Sequence, residues 1–376
     1  MSRVDELIAE LAPDGVEYLP LASLGKRNKG TAITAARMKV LALEPGPVRV
    51  FAGGQTVADV REEAIPAKDI VRVPSIIVKS RGHIGFTYCE LPFTHKSELW
   101  SYSIDATNVD QKFVYYYLLT QVEKLQAVAR ATSVKLPQLS VKDTDTLRIP
   151  VPPLEIQREI VRILDQFTQL EAELQAELQA ELEARRRQYE HYRQEALLPS
   201  AGWRSVPLSD LINGASSGRN KSRVDDGAFP VYGSTGQIAS TDDPQYSDDA
   251  LLIARVGANA GRVNVVSGLY DVSDNTLIVT PRDCWDLRFA FHQLTAMNLN
   301  QYAVGGGQPL VTGRLLKGLE VATPPLGEQR EIASMLDTFD VLINDVSISL
   351  SAELAARRKQ YEYYRDELVT FKELAA

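Results

Sequence analysis

A chain of 376 residues, 44% hydrophobic and 24% charged, has room for two domains with cores of ordinary size. No run of about 18 apolar residues occurs, so no membrane span is expected, and the opening MSRVDELIAELAPDG lacks the basic-then-apolar build of a secretion signal. A net charge of −8 weighs against nucleic acid, but it is unevenly spread: +2 over residues 1–150, −4 over 151–198, −2 over 199–323 and −4 over 324–376.

In chain order, PVRVFAGGQ (47–55) reads as a strand ending in a glycine turn, SIIVKSRGHIGFTY (75–88) as strand–turn–strand, and FVYYYLL (113–119) as a short helix. Pro152-Pro153 then stands where a helix start tolerates proline, with Glu155 and Glu159 in the first turns. From Ile160 the apolar positions Ile163, Phe167, Leu170, Leu174, Leu178, Leu182, Tyr189, Tyr192 and Ala196 follow at spacings of three and four, a coiled-coil seam. AFPVYGSTGQIAS (228–240) reads as a strand with a glycine turn, ALLIARVGANAGRVNVV (250–266) as strand–turn–strand, and FAFHQLT as a short helix. Pro324-Pro325 opens a second long helix whose seam runs from Ile332 and Met335 to Tyr361, Tyr364 and Leu368.

The chain repeats itself. PPLEIQREIVRILDQF from Pro152 matches PPLGEQREIASMLDTF from Pro324 without a gap, and the match runs through LEARRRQYEHYRQE and LAARRKQYEYYRDE. DELIAEL near the N-terminus echoes RDELVTF near the C-terminus, so the repeat is cyclic. Roughly 45 helical residues at 1.5 Å each make a rod of about 67 Å, and two such rods joined by a domain suit an antiparallel pair. Within the first rod the tetrads ELQA, ELQA and ELEA (Glu173–Ala184) are either good helix formers and no more, or a length ruler. The expected fold is α+β: two mixed α/β domains with mainly antiparallel sheets, and two long antiparallel helices in a pseudo-twofold internal repeat.

Catalytic signatures are missing from the sequence. Neither VPPL nor TPPL has the Asn or Asp that an amino-methyltransferase site places before Pro-Pro. No phosphate-binding G-x-x-x-x-G-K-[ST] or G-x-G-x-x-G occurs, and Gly305–Gly307 reads as a loop. His83, His95, His191 and His292 lack ligand spacing, and Cys89 and Cys284 form neither a zinc pattern nor a disulfide framework, which suits the cytoplasm. A recognition or scaffold protein is expected, with no cofactor of its own. One alternative is a non-enzymatic coiled-coil scaffold with two protein- or carbohydrate-binding domains, which the near-neutral globular parts would allow.

Two copies of PPL-x-x-QREI opening long helices, each ending in RR[RK]QYE-x-YR-x-E, resemble type I restriction–modification specificity subunits. So do VYGSTGQIAS (231–240), the R-x-G-x-x-x-G-x-V element from Arg255, and VSDNTLIV (272–279). The first half departs from this pattern, with FAGGQTVAD for the YGS-like turn and HKSELW for SDNTL. The resemblance implies target-recognition domains at 1–150 and 199–323, with spacer helices at 151–198 and 324–376. Each domain would read one half of a split double-stranded DNA target, and the helices would set the spacing. Two methyltransferase subunits would bring S-adenosylmethionine for adenine-N6 methylation, and two restriction subunits, where present, ATP and Mg. Candidate DNA contacts lie at the glycine turns: Lys79, Arg81, His83 and Lys96 in the first domain, and Arg219, Lys221, Arg255 and Arg262 in the second. For each the plainer reading is a solvated surface charge. Lys26–Lys29 is a further basic cluster, or only a loop. Arg185, Arg186 and Arg187 beside Tyr189 and Tyr192, with Arg357, Arg358 and Lys359 beside Tyr361 and Tyr364, are expected to bind partner helices.

Overall fold

A computed structural model describes residues 2–132, 136–220, 223–305 and 309–374, and the chain forms two compact units. Unit 1 comprises Met1–Gln175 with Glu353–Ala376, and unit 2 comprises Ala176–Ala352.

Unit 1 begins with α1 (Arg3–Leu11), capped by Ser2, whose hydroxyl accepts from the Asp5 amide while the Asp5 carboxylate accepts from the Ser2 amide. There follow β1 (Glu17–Pro20), α2 (Leu21–Leu24), β2 (Gly25–Lys29), α3 (Ala35–Leu41), β3 (Val48–Phe51) and β4 (Val57–Val60). Then come β5 (Ser75–Lys79), β6 (Gly85–Cys89), β7 (Phe93–His95), β8 (Trp100–Ile104), α4 (Gln111–Thr120), α5 (Val122–Thr132), α6 (Val141–Asp145) and β9 (Arg148–Val151). One sheet is ordered β2-β8-β5-β6 and a second β4-β3-β7, and β1 pairs with β9. The Lys26–Lys29 cluster therefore belongs to an edge strand rather than a loop. The pairing is antiparallel except for β3 with β7, so the expectation of mainly antiparallel sheets holds with that parallel exception and its counterpart in unit 2. Alternation along β5 and β8 puts Ile76, Val78, Trp100 and Tyr102 into one core with α4 and α5.

The helix α7 (Leu154–Ala196) begins in unit 1 and ends in unit 2. Unit 2 continues with β10 (Arg204–Pro207), α8 (Leu208–Leu211), β11 (Ile212–Ser217), β12 (Phe229–Gly233), β13 (Gly236–Thr241), β14 (Ala250–Ala254) and β15 (Val263–Val266). It is completed by β16 (Asp271–Val272), β17 (Thr276–Pro281), α9 (Leu287–Ala296), α10 (Gly313–Lys317), β18 (Glu320–Thr323) and the first part of α11 (Leu326–Val369), whose last turns lie in unit 1. The sheets repeat those of unit 1: β11-β17-β14-β15, β13-β12-β16 with β12 and β16 parallel, and β10 with β18. Gly30 and Gly218, each just past the edge strand β2 or β11, are forced by this topology. A Cβ there would lie 2.4 Å from the His95 carbonyl oxygen or 2.1 Å from that of Val272. Gly305 closes a described segment, whereas the rest of the expected glycine loop, Gly306-Gly307, lies outside the described residues.

The repeated motif explains itself at the helix starts. Gln157 is fully buried; its Oε1 accepts from the Asp110 amide at 2.7 Å, and its Nε2 donates to the Asn108 and Pro152 carbonyls at 2.9 and 2.7 Å. Gln329 does the same in unit 2, with the Asp286 amide at 2.8 Å and the Cys284 and Pro324 carbonyls at 3.0 and 2.8 Å. Asp110 and Asp286 in turn cap α4 and α9 through two amides each. One amide side chain thus ties the entry of a domain helix to the entry of a long helix. Gln329→Ala leaves three buried backbone groups unpaired and should cost unit 2 about 3 kcal/mol, read as a drop of roughly 5–10 °C in the midpoint of its thermal transition. An unchanged midpoint would show that the lock carries no stability.

Candidate DNA interface and partner helices

In unit 1 the expected DNA contacts gather around one hairpin tip. Lys79 ends β5, and Arg81 and His83 are exposed on the turn to β6, around Gly82 with its positive φ of 72°. The tip is tied down from two sides. Ser80 donates its hydroxyl to the Glu98 carbonyl at 2.6 Å and its carbonyl accepts from the Leu139 amide at 2.9 Å, while the Gly82 amide donates to the Pro137 carbonyl at 2.9 Å. Arg81 donates through Nε and Nη2 to Gln138 Oε1 at 3.1 and 3.0 Å. Lys96 is joined to the same tip through Glu98, its salt-bridge partner at 2.6 Å. The structure therefore brings Arg81 and Lys96 together but leaves both with protein partners. His95, next to Lys96, is buried against Ser101 Oγ at 3.2 Å, and burial lowers its pKa.

A larger cationic surface lies elsewhere in unit 1. A groove of about 990 Å³ is lined by Lys26, Arg27 and Lys29 of β2 together with Lys68, Arg72 and Lys112, against Asp69, Asp105 and Asp110. Arg27 is held by Asp145 at 2.7 Å, Arg72 by Glu62, and Lys112 by Asp165 at 2.9 Å. Lys26, Lys29 and Lys68 make no salt bridge among the described residues. The basic run was visible in the sequence; Lys68 and its place beside β2 were not, because only the tertiary fold joins them.

In unit 2, Arg219 is exposed just past β11, and Lys221 lies outside the described residues. Arg255 is half-buried after β14, its Nη1 3.5 Å from the Asp274 carbonyl oxygen, and Arg262 is exposed at the start of β15. Arg255 and Arg262 flank the same turn: the Ala254 amide donates to the Arg262 carbonyl at 2.8 Å. Arg255 also lines a cavity of about 470 Å³ with Arg314 and Lys317 of α10, two residues not singled out from the sequence. His292 comes within 4.8 Å of Asp337 and Asp340, a grouping that spacing alone did not suggest. Arg288 pairs with Asp337, and Arg193 lies 3.3 Å from Asp340, so two guanidiniums already neutralise these carboxylates. His292 Nε2 lies 2.8 Å from Asp337, and burial lowers its pKa. The same place in unit 1 is filled by Tyr116, whose hydroxyl donates to Asp165 at 2.7 Å beside Lys112.

The helix tyrosines make contacts within the chain, while Tyr192 and Tyr364 keep exposed faces. In unit 1, Tyr364 stacks on Phe167 with centroids 6.5 Å apart, and the Tyr361 hydroxyl lies 3.3 Å from that of Thr168. In unit 2, Tyr192 stacks on Phe339 at 6.1 Å, and Tyr189 is buried between Phe339 and the Arg193 guanidinium, 4.4 Å from its ring centre. Each unit thus holds its two helix segments antiparallel by one Phe and two Tyr. The basic clusters point outward. Arg185 pairs with Glu181 at 2.7 Å, Arg187 with Glu183, Arg357 with Glu353 and Arg358 with Glu362, each at 3.6 Å. Arg186 and Lys359 are exposed and make no salt bridge among the described residues. Exposed pairs of this kind contribute little stability, so the arginines remain available to another chain.

A family model described as the type I restriction modification DNA specificity domain matches residues 13–184 and again residues 201–354. The chain belongs to this family. It carries two specificity domains, and the family's domain serves DNA recognition rather than catalysis. The type I restriction enzyme EcoprrI specificity subunit of Escherichia coli is 32% identical over 255 residues, 63% of either chain, so the match spans less than two thirds of that relative's length. A solved chain from work on complex assembly and conformational transition of the type I R-M system is 16% identical, with a TM-score of 0.68 over 96% of this chain and 98% of that one. The HsdS subunit from Thermoanaerobacter tengcongensis is 14% identical, with a TM-score of 0.51 over 96% and 97%. These likenesses extend the specificity-subunit fold over nearly the whole chain. Among the described residues no helix is long and apolar enough to cross a membrane.

If the outward arginines serve assembly, Arg185→Ala with Arg186→Ala should lower the yield of complex with a methyltransferase subunit at least tenfold in a pull-down and leave the methylated sequence unchanged. An altered sequence from an intact complex would instead place these residues on DNA.

Proposed function

We propose that this specificity-family chain reads a bipartite double-stranded DNA target, one half through residues 1–150 and the other through residues 199–323. The helices, residues 151–198 and 324–376, set the separation of the two halves and dock two methyltransferase subunits, which supply S-adenosylmethionine for adenine-N6 methylation. Two restriction subunits, where they join, bring ATP and Mg. The supporting observation is the pairing of sameness and difference. Both domains hang from a long helix by the same buried glutamine, yet the hairpin tips they present carry different cations. Base edges are read by side chains whose identity sets the sequence, whereas the scaffold that holds them can stay constant. Lys79, Arg81, His83 and Lys96 are assigned as base or phosphate contacts of the first half-site, and Arg219, Lys221, Arg255 and Arg262 as those of the second. Near-neutral domains leave part of the phosphate contact to the partners, and the chain acts in the cytoplasm, where its DNA lies.

Replacing residues 203–320 by the equivalent part of a relative should change one half of the methylated site and leave the other intact, as read by single-molecule mapping of methylated adenines. A change in both halves would refute independent reading.

The tetrads at Glu173–Ala184 lie inside the unbroken helix α7. Deleting Glu177–Ala180 removes about 6 Å of helix and rotates the remainder of α7 by roughly 40°, against about 3.4 Å per base pair. The spacer between half-sites should shorten by about one or two base pairs with the bases read unchanged. An unchanged spacer in a folded deletion variant would reduce the tetrads to helix filler.

A further inference from the structure

The cavity of about 470 Å³ in unit 2 differs in lining from the groove beside β2 in unit 1, where Asp69, Asp105 and Asp110 stand among the cations. Arg255, Arg314 and Lys317 face the cavity together with the hydroxyl-bearing Ser217 and Thr312, and no carboxylate lines it. None of the three cations makes a salt bridge among the described residues; Arg255 has only the Asp274 carbonyl, at 3.5 Å. This contrasts with Arg81, Lys96 and Arg27 of unit 1, all of which have side-chain partners. Three positive charges around one space repel one another, and an anion from outside relieves that cost.

The internal repeat sharpens the contrast. Counting back from the matched glycines Gly30 and Gly218, Arg27 of β2 corresponds to Ala215 of β11. Counting along the ungapped repeat, Asp145 of α6 corresponds to Lys317 of α10. In unit 1 this position is closed by the Arg27–Asp145 ion pair at 2.7 Å. In unit 2 one partner is reduced to a methyl group and the other reversed in charge, so the place is open and purely cationic. Arg314 matches Lys142 at the same offset, so the cations gained around the gap are Lys317 and Arg255, the latter in the place of Ser80, whose carbonyl accepts from Leu139 as that of Arg255 does from Val311.

We infer that Arg255, Arg314 and Lys317 form a clamp for backbone phosphates of DNA, present in the second recognition domain and replaced in the first by an internal ion pair. The inference rests on the DNA-reading role proposed above. Phosphate contacts fix register and orientation and carry no base identity, so the clamp positions the second domain on its half-site. Two of its members, Arg314 and Lys317, stand on the helix α10 rather than on the hairpin turn itself.

The test uses the full chain assembled with its methyltransferase subunits and measures DNA affinity against salt for target and non-target duplexes. Arg314→Ala with Lys317→Ala should weaken both duplexes alike and lower the slope of log affinity against log salt by about two. The affinity ratio between 50 and 200 mM salt should then shrink roughly tenfold. The charge-keeping exchange Arg314→Lys with Lys317→Arg should restore most of the slope, and the methylated sequence should be the same in all three proteins. An unchanged slope in the alanine variant overturns the clamp, and an altered methylated sequence makes these residues base readers and overturns it equally. Displacement of DNA by inorganic phosphate at constant ionic strength would reassign the cavity to a free anion. A wild-type complex with no salt-dependent DNA retention would sink the DNA-reading role itself, a result distinguishable from loss in the variant alone.

Discussion

A buried primary amide has two donor hydrogens and one acceptor oxygen, and all of these must be satisfied where water cannot reach. Gln157 and Gln329 meet that demand with backbone groups from two different elements, the loop before a domain helix and the Pro-Pro step before a long helix. Because the three bonds diverge, the two elements cannot slide or rotate without breaking at least one. The capping aspartates Asp110 and Asp286 belong to the same arrangement, since the amide each contributes to the glutamine adjoins the carboxylate that starts α4 or α9. The hydrogen bonds add a directional constraint to the apolar packing of Phe113 and Tyr116 against Ile156, Ile160 and Leu164, which by itself tolerates repacking more readily.

Around that fixed joint the two halves are free to diverge. The Phe–Tyr–Tyr contacts of the helix segments are kept at Phe167, Tyr361 and Tyr364 and at Phe339, Tyr189 and Tyr192, while the polar partner of the helix aspartate changes from Tyr116 to His292. Farther from the joint the differences grow. The β5–β6 tip of unit 1 is pinned by side-chain bonds from Arg81, whereas the corresponding turn of unit 2 exposes Arg262 and opens beside Arg255. A frame that is constant at the joint and variable at the hairpin tips is what the proposed reading of two half-sites requires.

The repeat made most of the architecture legible. Ungapped matching of long segments located α7 and α11 and their antiparallel use, and alternating β-branched residues located β5, β6, β14 and β15. The Lys26–Lys29 strand was ambiguous because four consecutive polar residues show no alternation in apolarity; it is an edge strand, with one flank unpaired. The role of the motif glutamines was hidden for a different reason: sequence shows that a residue recurs, but not that it is buried. Arg314 and Lys317 lie in a segment whose one visible signal is its match to the first half, and their convergence with Arg255, more than fifty positions earlier, is a product of tertiary structure.

The division of the chain also bears on how it is made. Unit 2 is one continuous stretch, residues 176–352, whereas unit 1 draws its last pieces from residues 353–376. Those pieces include Val369, which is fully buried beside Ile156, Ile160 and Leu164, and Phe371, whose carbonyl accepts from the Tyr18 hydroxyl at 2.9 Å. On a ribosome adding about 5–20 residues per second, the start of α7 emerges roughly ten to forty seconds before the segment that completes its cover. The unit encoded second can finish first, and the unit encoded first waits with part of an apolar helix face open. Protection of the nascent chain during that interval, by a chaperone or by a subunit binding early, would matter more for unit 1 than for unit 2.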